Sequence, residues 1–466
     1  MSRGTVPAYL GDHADALTTL QTSLAAERWL VNTGQAETLG HRPGSCPPLA
    51  DGTLVHAALD HGDLGYAREL AAWYFRENLV DATSELRRAQ RSTTVEIGGV
   101  RRSMGELTAL TRSATSATGR SQAAEALRRL GGELRAARQA WLKAHAAAVH
   151  RLGFDTHGSL IRALHPSVDR WIEHARHWLS DTRDGYLEEA RSWRERDGLT
   201  APALSDPRLV AARAVVPAGA PPALAAVLST IRTWELAEHT RHVLVDDADR
   251  PGKLGFAFCS PVSPPSDIRV SVVDGRSLGH YATLLHEFGH ALHFSAGMTR
   301  PLDLWRLPTA MSEAFGFLLE RLVREPAWQE QQLGAALGEE DVERTRFGRE
   351  HVRRVVAASL CFEMTVHDGG TDPAGEYRRL YEREFGVSVD GGAAWDRLQT
   401  YLEGQPCYPL VYHQAFTTRD RLWTEAVRLA GERWYTSRRG GQAVRSVLDL
   451  LDRVRPDDVI GPDSGG

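Results

Sequence analysis

The run His286-Glu287-Phe288-Gly289-His290 places two imidazoles and a carboxylate at a spacing suited to metal-assisted hydrolysis. In a helix, positions i and i+4 lie on one face, so both imidazoles can reach a single ion. Glu287 points about a quarter-turn away, where it can take a proton from a metal-bound water instead of ligating the metal. Leu284, Leu285, Phe288, Ala291 and Leu292 flank the polar pair and suit a buried helix. Zinc in a hydrolase normally takes three protein ligands and leaves one position for water or substrate. A histidine six residues after His290 would complete one common set, but that position is Ala296. A glutamate on a following helix completes the other, and the stretch Thr309–Arg324 supplies Glu313. Glu320 shares its face two turns on, where a carboxylate can orient a ligating imidazole through its other nitrogen. The expectation is one Zn²⁺ per chain, held by His286, His290 and Glu313, with Glu287 as the base. His293, one turn beyond His290, reads as a packing residue or as a group supporting the ligands, not as a ligand.

These side chains need rigid helices, and the rest of the chain is patterned for them. Helical apolar spacing covers about Ala14–Thr33, Leu54–Gln90, Ser121–Leu152, Ser159–Leu164 and Pro166–Glu195, the last ending at Asp197-Gly198. Pro202, Pro207, Pro217, Pro221 and Pro222 mark a linker, and a short helix follows at Ala223–Leu236. One region reads as β: His242–Val245, a hairpin around Gly252–Phe258, and Ile268–Val273, whose partial alternation suits an edge strand. After the HEFGH helix the pattern is helical again, at Thr309–Arg324, Glu340–Val366, Ala374–Phe385, Ala394–Leu402, Leu410–Ala430 and Gly441–Val454. Ser92–Gly119 is polar, with Gly98-Gly99 as a turn.

Composition narrows the setting. The chain has 466 residues and a net charge of −5 with no single-sign block, so neither nucleic acid nor an anionic membrane is an expected partner. No uncharged apolar stretch is long enough to span a bilayer, and the first residues lack the apolar run of a signal peptide. Cys46, Cys259, Cys361 and Cys407 are far apart and form no C-x-x-C pair, which fits reduced thiols in a cytoplasmic protein. No feature sets an oligomeric state.

Three segments together resemble the thimet oligopeptidase / oligoendopeptidase F family of zinc peptidases. Gly252–Phe258 (GKLGFAF) looks like the family's G-K-x-x-G-A-[FY] approach, with Phe256 in the second glycine slot. His286–His293 (HEFGHALH) matches its metal helix. Ser312-Glu313 with Glu320 matches its S-E-x-x-S-x-x-x-E helix, with Gly316 in the small-residue slot. A weaker likeness runs over about Gly131–Gly431. The resemblance implies a mainly α, two-lobed, clam-like fold with a small β-sheet beside the zinc helix. It implies a trimmed helical amino-terminal lobe, here 1–200, and a catalytic lobe at 201–455; Pro456, Pro462 and the terminal glycines read as a disordered tail at 456–466. A peptide would lie along 268–273 as an added strand.

Family members also carry a late histidine and a row of tyrosines that hydrogen-bond the oxyanion. Tyr408 and Tyr412 match the spacing of two of those tyrosines, whereas Glu403 stands in the histidine slot and Ala415 in the last tyrosine slot. Losing one oxyanion donor costs roughly 3 kcal/mol of transition-state stabilisation. Either His413 substitutes from a nearby position or the reaction has shifted. The expected activity is therefore metal-dependent hydrolysis of short unfolded peptides; the alternative is a tailoring enzyme on the same scaffold, acting on one small amide or peptide-like metabolite.

Overall fold

Most of the chain is helical in the computed structural model, which describes residues 6–11, 13–36, 47–113, 117–199, 203–204, 206–250, 252–273, 275, 277–298, 301–389, 407–451 and 453–460. The helices follow the apolar spacing closely. His13–Asn32 buries Leu17, Leu20 and Leu24 on one stripe, and the long pattern before Gln90 resolves into Thr53–Asp60, Leu64–Asn78 and Val80–Ser92. Pro166–Glu195 becomes two helices, Val168–Asp181 and Arg183–Asp197, and Gly198 closes the second in the left-handed conformation that costs glycine least. The helix expected at Ala394–Leu402 lies outside the described residues. Of the tail expected to be disordered, Pro456–Asp458 forms a 3₁₀ turn, and 461–466 lie outside the described residues. Among the described residues no helix is long and apolar enough to cross a membrane. Cys259, Cys361 and Cys407 are free thiols; Cys46 lies outside the described residues.

The chain divides into two compact units, and neither is contiguous. One unit comprises 1–46, 212–346 and 414–466; the other comprises 47–211 and 347–413. A single boundary near residue 200 follows from the proline-rich linker, but composition cannot show that the chain later returns to a unit it has left. The first unit buries Trp29, Trp234, Trp305, Trp328, Trp434, Tyr281, Phe288 and Phe315 almost completely. The second is built around Trp73, Tyr74, Trp171 and the buried cation Arg354.

Two small sheets interrupt the helices. In the second unit β1 (Val95–Ile97) and β2 (Val100–Arg102) form a hairpin whose turn, Gly98-Gly99, has both φ angles positive. Ser92–Gly119 is too polar for its alternation to be read as strand, so only the turn was legible there. In the first unit the order is β3 (Val243–Asp246), β5 (Asp267–Ser271), β4 (Phe258–Ser263). β5 runs parallel to β3, with Val243 opposite Ile268, and antiparallel to β4, with Cys259 opposite Val270. The expected edge strand at 268–273 is thus the central strand, and the expected hairpin shifts to β4–β5. Burial gives the reason: consecutive Val270 and Ser271 are both 0% exposed, so the strand is covered on both faces. β4 ends the sheet.

Lys253 ties this sheet together. Its Nζ donates to the carbonyls of Asp246, Ala248 and Val272, each at 2.9 Å, and lies 3.4 Å from the Asp246 carboxylate. The ammonium thereby links the ends of β3 and β5, which lead into the HEFGH helix. Removing it takes the donor from two part-buried carbonyls and from the exposed carbonyl of Ala248. Lys253→Met should cost about 1–3 kcal/mol, since it deletes charge-assisted bonds that are only partly buried. A urea unfolding midpoint unchanged from the parent would contradict this role.

Candidate metal centre

The two motif helices are Leu278–Gly297 and Thr309–Glu320, and both belong to the first unit. Every residue from Ala310 to Leu319 is buried, so the second helix is a core element carrying a charge inside it. The helices cross where each has a glycine. A Cβ on Gly289 would fall 3.0 Å from the Gly316 Cα, and one on Gly316 would fall 2.8 Å from the His286 ring. This close approach is what carries Glu313, one turn before Gly316, onto both imidazoles.

The three expected ligands converge. His286 Nε2 and His290 Nε2 are 3.0 Å apart, and Glu313 Oε2 lies 3.2 Å from the first and 3.6 Å from the second. Donors on a tetrahedral ion with ~2.0–2.1 Å arms sit roughly 3.3 Å apart, so this triangle has the size a bound zinc would require. The chemistry of the set, two imidazoles and a carboxylate, also fits. The group could therefore hold a metal ion. The outer nitrogens are addressed as well: His290 Nδ1 lies 2.9 Å from Ser312 Oγ, and Glu320 Oε2 stands 3.5 Å from His286 Nδ1. Such partners fix the tautomer that leaves Nε2 for a metal. The Ser312 bond was not foreseen; its only signal was the Ser-Glu pair itself.

Burial and charge act against each other here. Burial would lower the His286 pKa, but the Glu313 and Glu320 carboxylates outweigh it and raise the ring to about 10. Burial would likewise raise Glu313, but the His290 charge and the hydrogen bonds from both imidazoles hold it well below the usual carboxylate range. Glu287 is partly buried beside the triangle, and burial raises its pKa against the opposing pull of His286 and His290. The backbone amide of Cys259, on β4, faces that carboxylate and slightly favours its charged form. A carboxylate moved toward neutrality is what a general base needs. Phe317 packs on His286, with ring centroids 4.8 Å apart, and Phe416 stacks on Phe317 at 4.3 Å. His293 is 1% exposed, stacks on Phe294, and is pushed by burial to about 3, so it is a neutral packing residue.

The other expected site residues belong to the second unit. Tyr408 and Tyr412 are partly exposed and lie against each other, rings 4.8 Å apart, at the start of the helix Tyr408–Ala430. His413 is 0% exposed, and its Nε2 is 2.9 Å from His174 Nδ1. A ring so enclosed has no face open to a substrate, which disfavours its use as a direct oxyanion donor. Ala415 is buried, and Glu403 lies outside the described residues.

No family model and no curated protein matches the sequence. Solved structures do match the fold. A PZ peptidase A determined with an inhibitor has a TM-score of 0.59 at 15% identity, covering 96% of this chain and 89% of its own. A structure given the name oligoendopeptidase F has a TM-score of 0.57 at 16% identity, covering 95% and 87%. Another of that name, from Bacillus anthracis str. Ames, has a TM-score of 0.57 at 15% identity, covering 96% and 81%. The chain shares the mainly helical fold of these peptidases.

Without an ion, His286 is protonated across the neutral range, since its pKa is raised from 6.5 to about 10. A metal must displace that proton, so affinity should climb with pH between 6 and 8, roughly tenfold per unit. Zinc titrations at both pH values would check this; equal affinities would contradict it.

Proposed function

We propose that this chain is a zinc peptidase of the oligoendopeptidase F kind, hydrolysing short unfolded peptides. One observation carries the reading: three donor atoms 3.0–3.6 Å apart with a partly buried carboxylate beside them on the same helix. The shared fold with peptidases supports it. His286, His290 and Glu313 are the proposed ligands. Bound there, zinc would supply a Lewis acid and lower the pKa of a water to about 7.

The chain's own groups do the rest. Glu287 takes the proton of the attacking water and later returns it to the departing amine nitrogen, so one carboxylate serves as base and then acid. Tyr412, assisted by Tyr408, is assigned to donate its phenol hydrogen to the oxyanion, on the strength of the family resemblance. His413 is assigned to packing against Trp171 and His174. The substrate strand is assigned to β4, since β4 ends the sheet and carries the amide that meets Glu287. The free thiols support a reducing, cytoplasmic setting.

Incubating the protein with a mixed short-peptide library should give broad cleavage that a chelator abolishes and zinc restores. Intact peptides after incubation with the zinc-loaded protein would overturn the reading. Glu287→Gln should retain zinc yet lose roughly a hundred- to ten-thousand-fold in turnover, the usual worth of a positioned base. Parental turnover in that variant would refute its role. Tyr412→Phe should lower kcat by about a hundredfold or more with KM nearly unchanged, as expected for an oxyanion donor.

A further inference from the structure

Away from the metal centre, the second unit holds an arginine-lined cleft of about 430 Å³. Its walls come from the helices Val168–Asp181, Arg183–Asp197, Glu339–His367 and Pro373–Phe385. Arg379 and Arg383 are one turn apart on the last helix, with Arg176 and Arg183 across from them. The floor is apolar, made by Leu179, Phe362 and Leu380.

The charges do not balance. Glu384, 1% exposed, is the one fully buried carboxylate of the lining, and three guanidiniums share it. Arg354 lies 2.6 Å from it, Arg383 2.7 Å and Arg183 3.7 Å. Arg354 is already consumed: it also donates to the carbonyls of Leu179 and Glu384 and to Thr182 Oγ1, tying three helices together. Nearby acids are likewise in use, Asp169 and Asp368 by Arg162, and Asp372 and Glu376 by Arg379. Arg176 has the Cys361 thiol as its partner in the cleft. Burial raises that thiol to about 11, so it is neutral and offsets no charge. The Arg183 Nε is buried without a hydrogen-bond acceptor among the described residues.

We propose that this cleft is a binding site for a small organic dianion with an apolar body, a phosphomonoester or a dicarboxylate. Guanidinium forks match both groups in geometry, an acceptor would satisfy Arg183, and Leu179, Phe362 and Leu380 would cover the ligand's carbon skeleton. The volume lies within the roughly 300–1,000 Å³ of small-ligand sites.

Calorimetric titration of the full chain tests this with phenyl phosphate and phthalate as the two anions and benzamide as the neutral control. At least one anion should bind about tenfold or more tighter than benzamide and weaken as salt rises. Tighter phenyl phosphate assigns a phosphomonoester; tighter phthalate assigns a dicarboxylate. The double variant Arg176→Gln/Arg183→Gln should lose about tenfold or more, its fold checked by circular dichroism melting; Arg176→Gln alone, at an exposed position, provides a second variant should the double one unfold. Chelator-treated protein should bind as untreated protein does, since the metal group is not involved. Three results would each overturn the site: anions binding no tighter than benzamide, indifference to folded arginine variants, or loss of anion binding on chelator treatment.

Discussion

The close crossing of two helices at Gly289 and Gly316 is the constraint on which the candidate centre rests. Two imidazoles on one helix face are a local consequence of spacing and would exist in any helix. The third donor is not local. It arrives because neither helix puts a Cβ at the crossing, so their backbones approach until Glu313 Oε2 is 3.2 and 3.6 Å from the two Nε2 atoms. Burying that carboxylate without opposite charge would be costly; opposite two imidazoles the burden is shared, and with an ion it would become a coordination bond. The same packing places the outer nitrogens against Ser312 and Glu320, so orientation and electrostatics derive from one contact.

The surrounding unit extends that constraint. Lys253 fastens the ends of β3 and β5, and β4 delivers a backbone amide to Glu287. Burial raises the pKa of that carboxylate and the Glu313 charge adds to the rise, against the pull of His286, so its basicity is set by architecture.

Legibility in the sequence followed the range of the interaction. His286, Glu287 and His290 were readable from a five-residue spacing, and Glu313 from the need for a third donor on a following helix. The helices were readable from periodicity because their apolar stripes are long. What failed was non-local. Residues 268–273 read as an edge because Ile-Arg-Val-Ser alternates, whereas β3 pairs on its other side from 25 residues away, which alternation cannot reveal. The interleaving of the two units was hidden for the same reason, and so was the enclosure of His413 by His174, 239 residues distant. The value of Gly316 was also invisible in one dimension: in sequence it only replaces the serine of a small-residue slot, and in space it is where the His286 ring lies.

The central claim, that two imidazoles and one carboxylate share an ion, is tested most directly by X-ray absorption at the zinc edge on the zinc-loaded protein. The account predicts a shell of nitrogen and oxygen at about 2.0–2.1 Å with two imidazole scattering patterns, one of which disappears in His290→Ala. A sulfur shell near 2.3 Å, or a spectrum unchanged by that substitution, would contradict it.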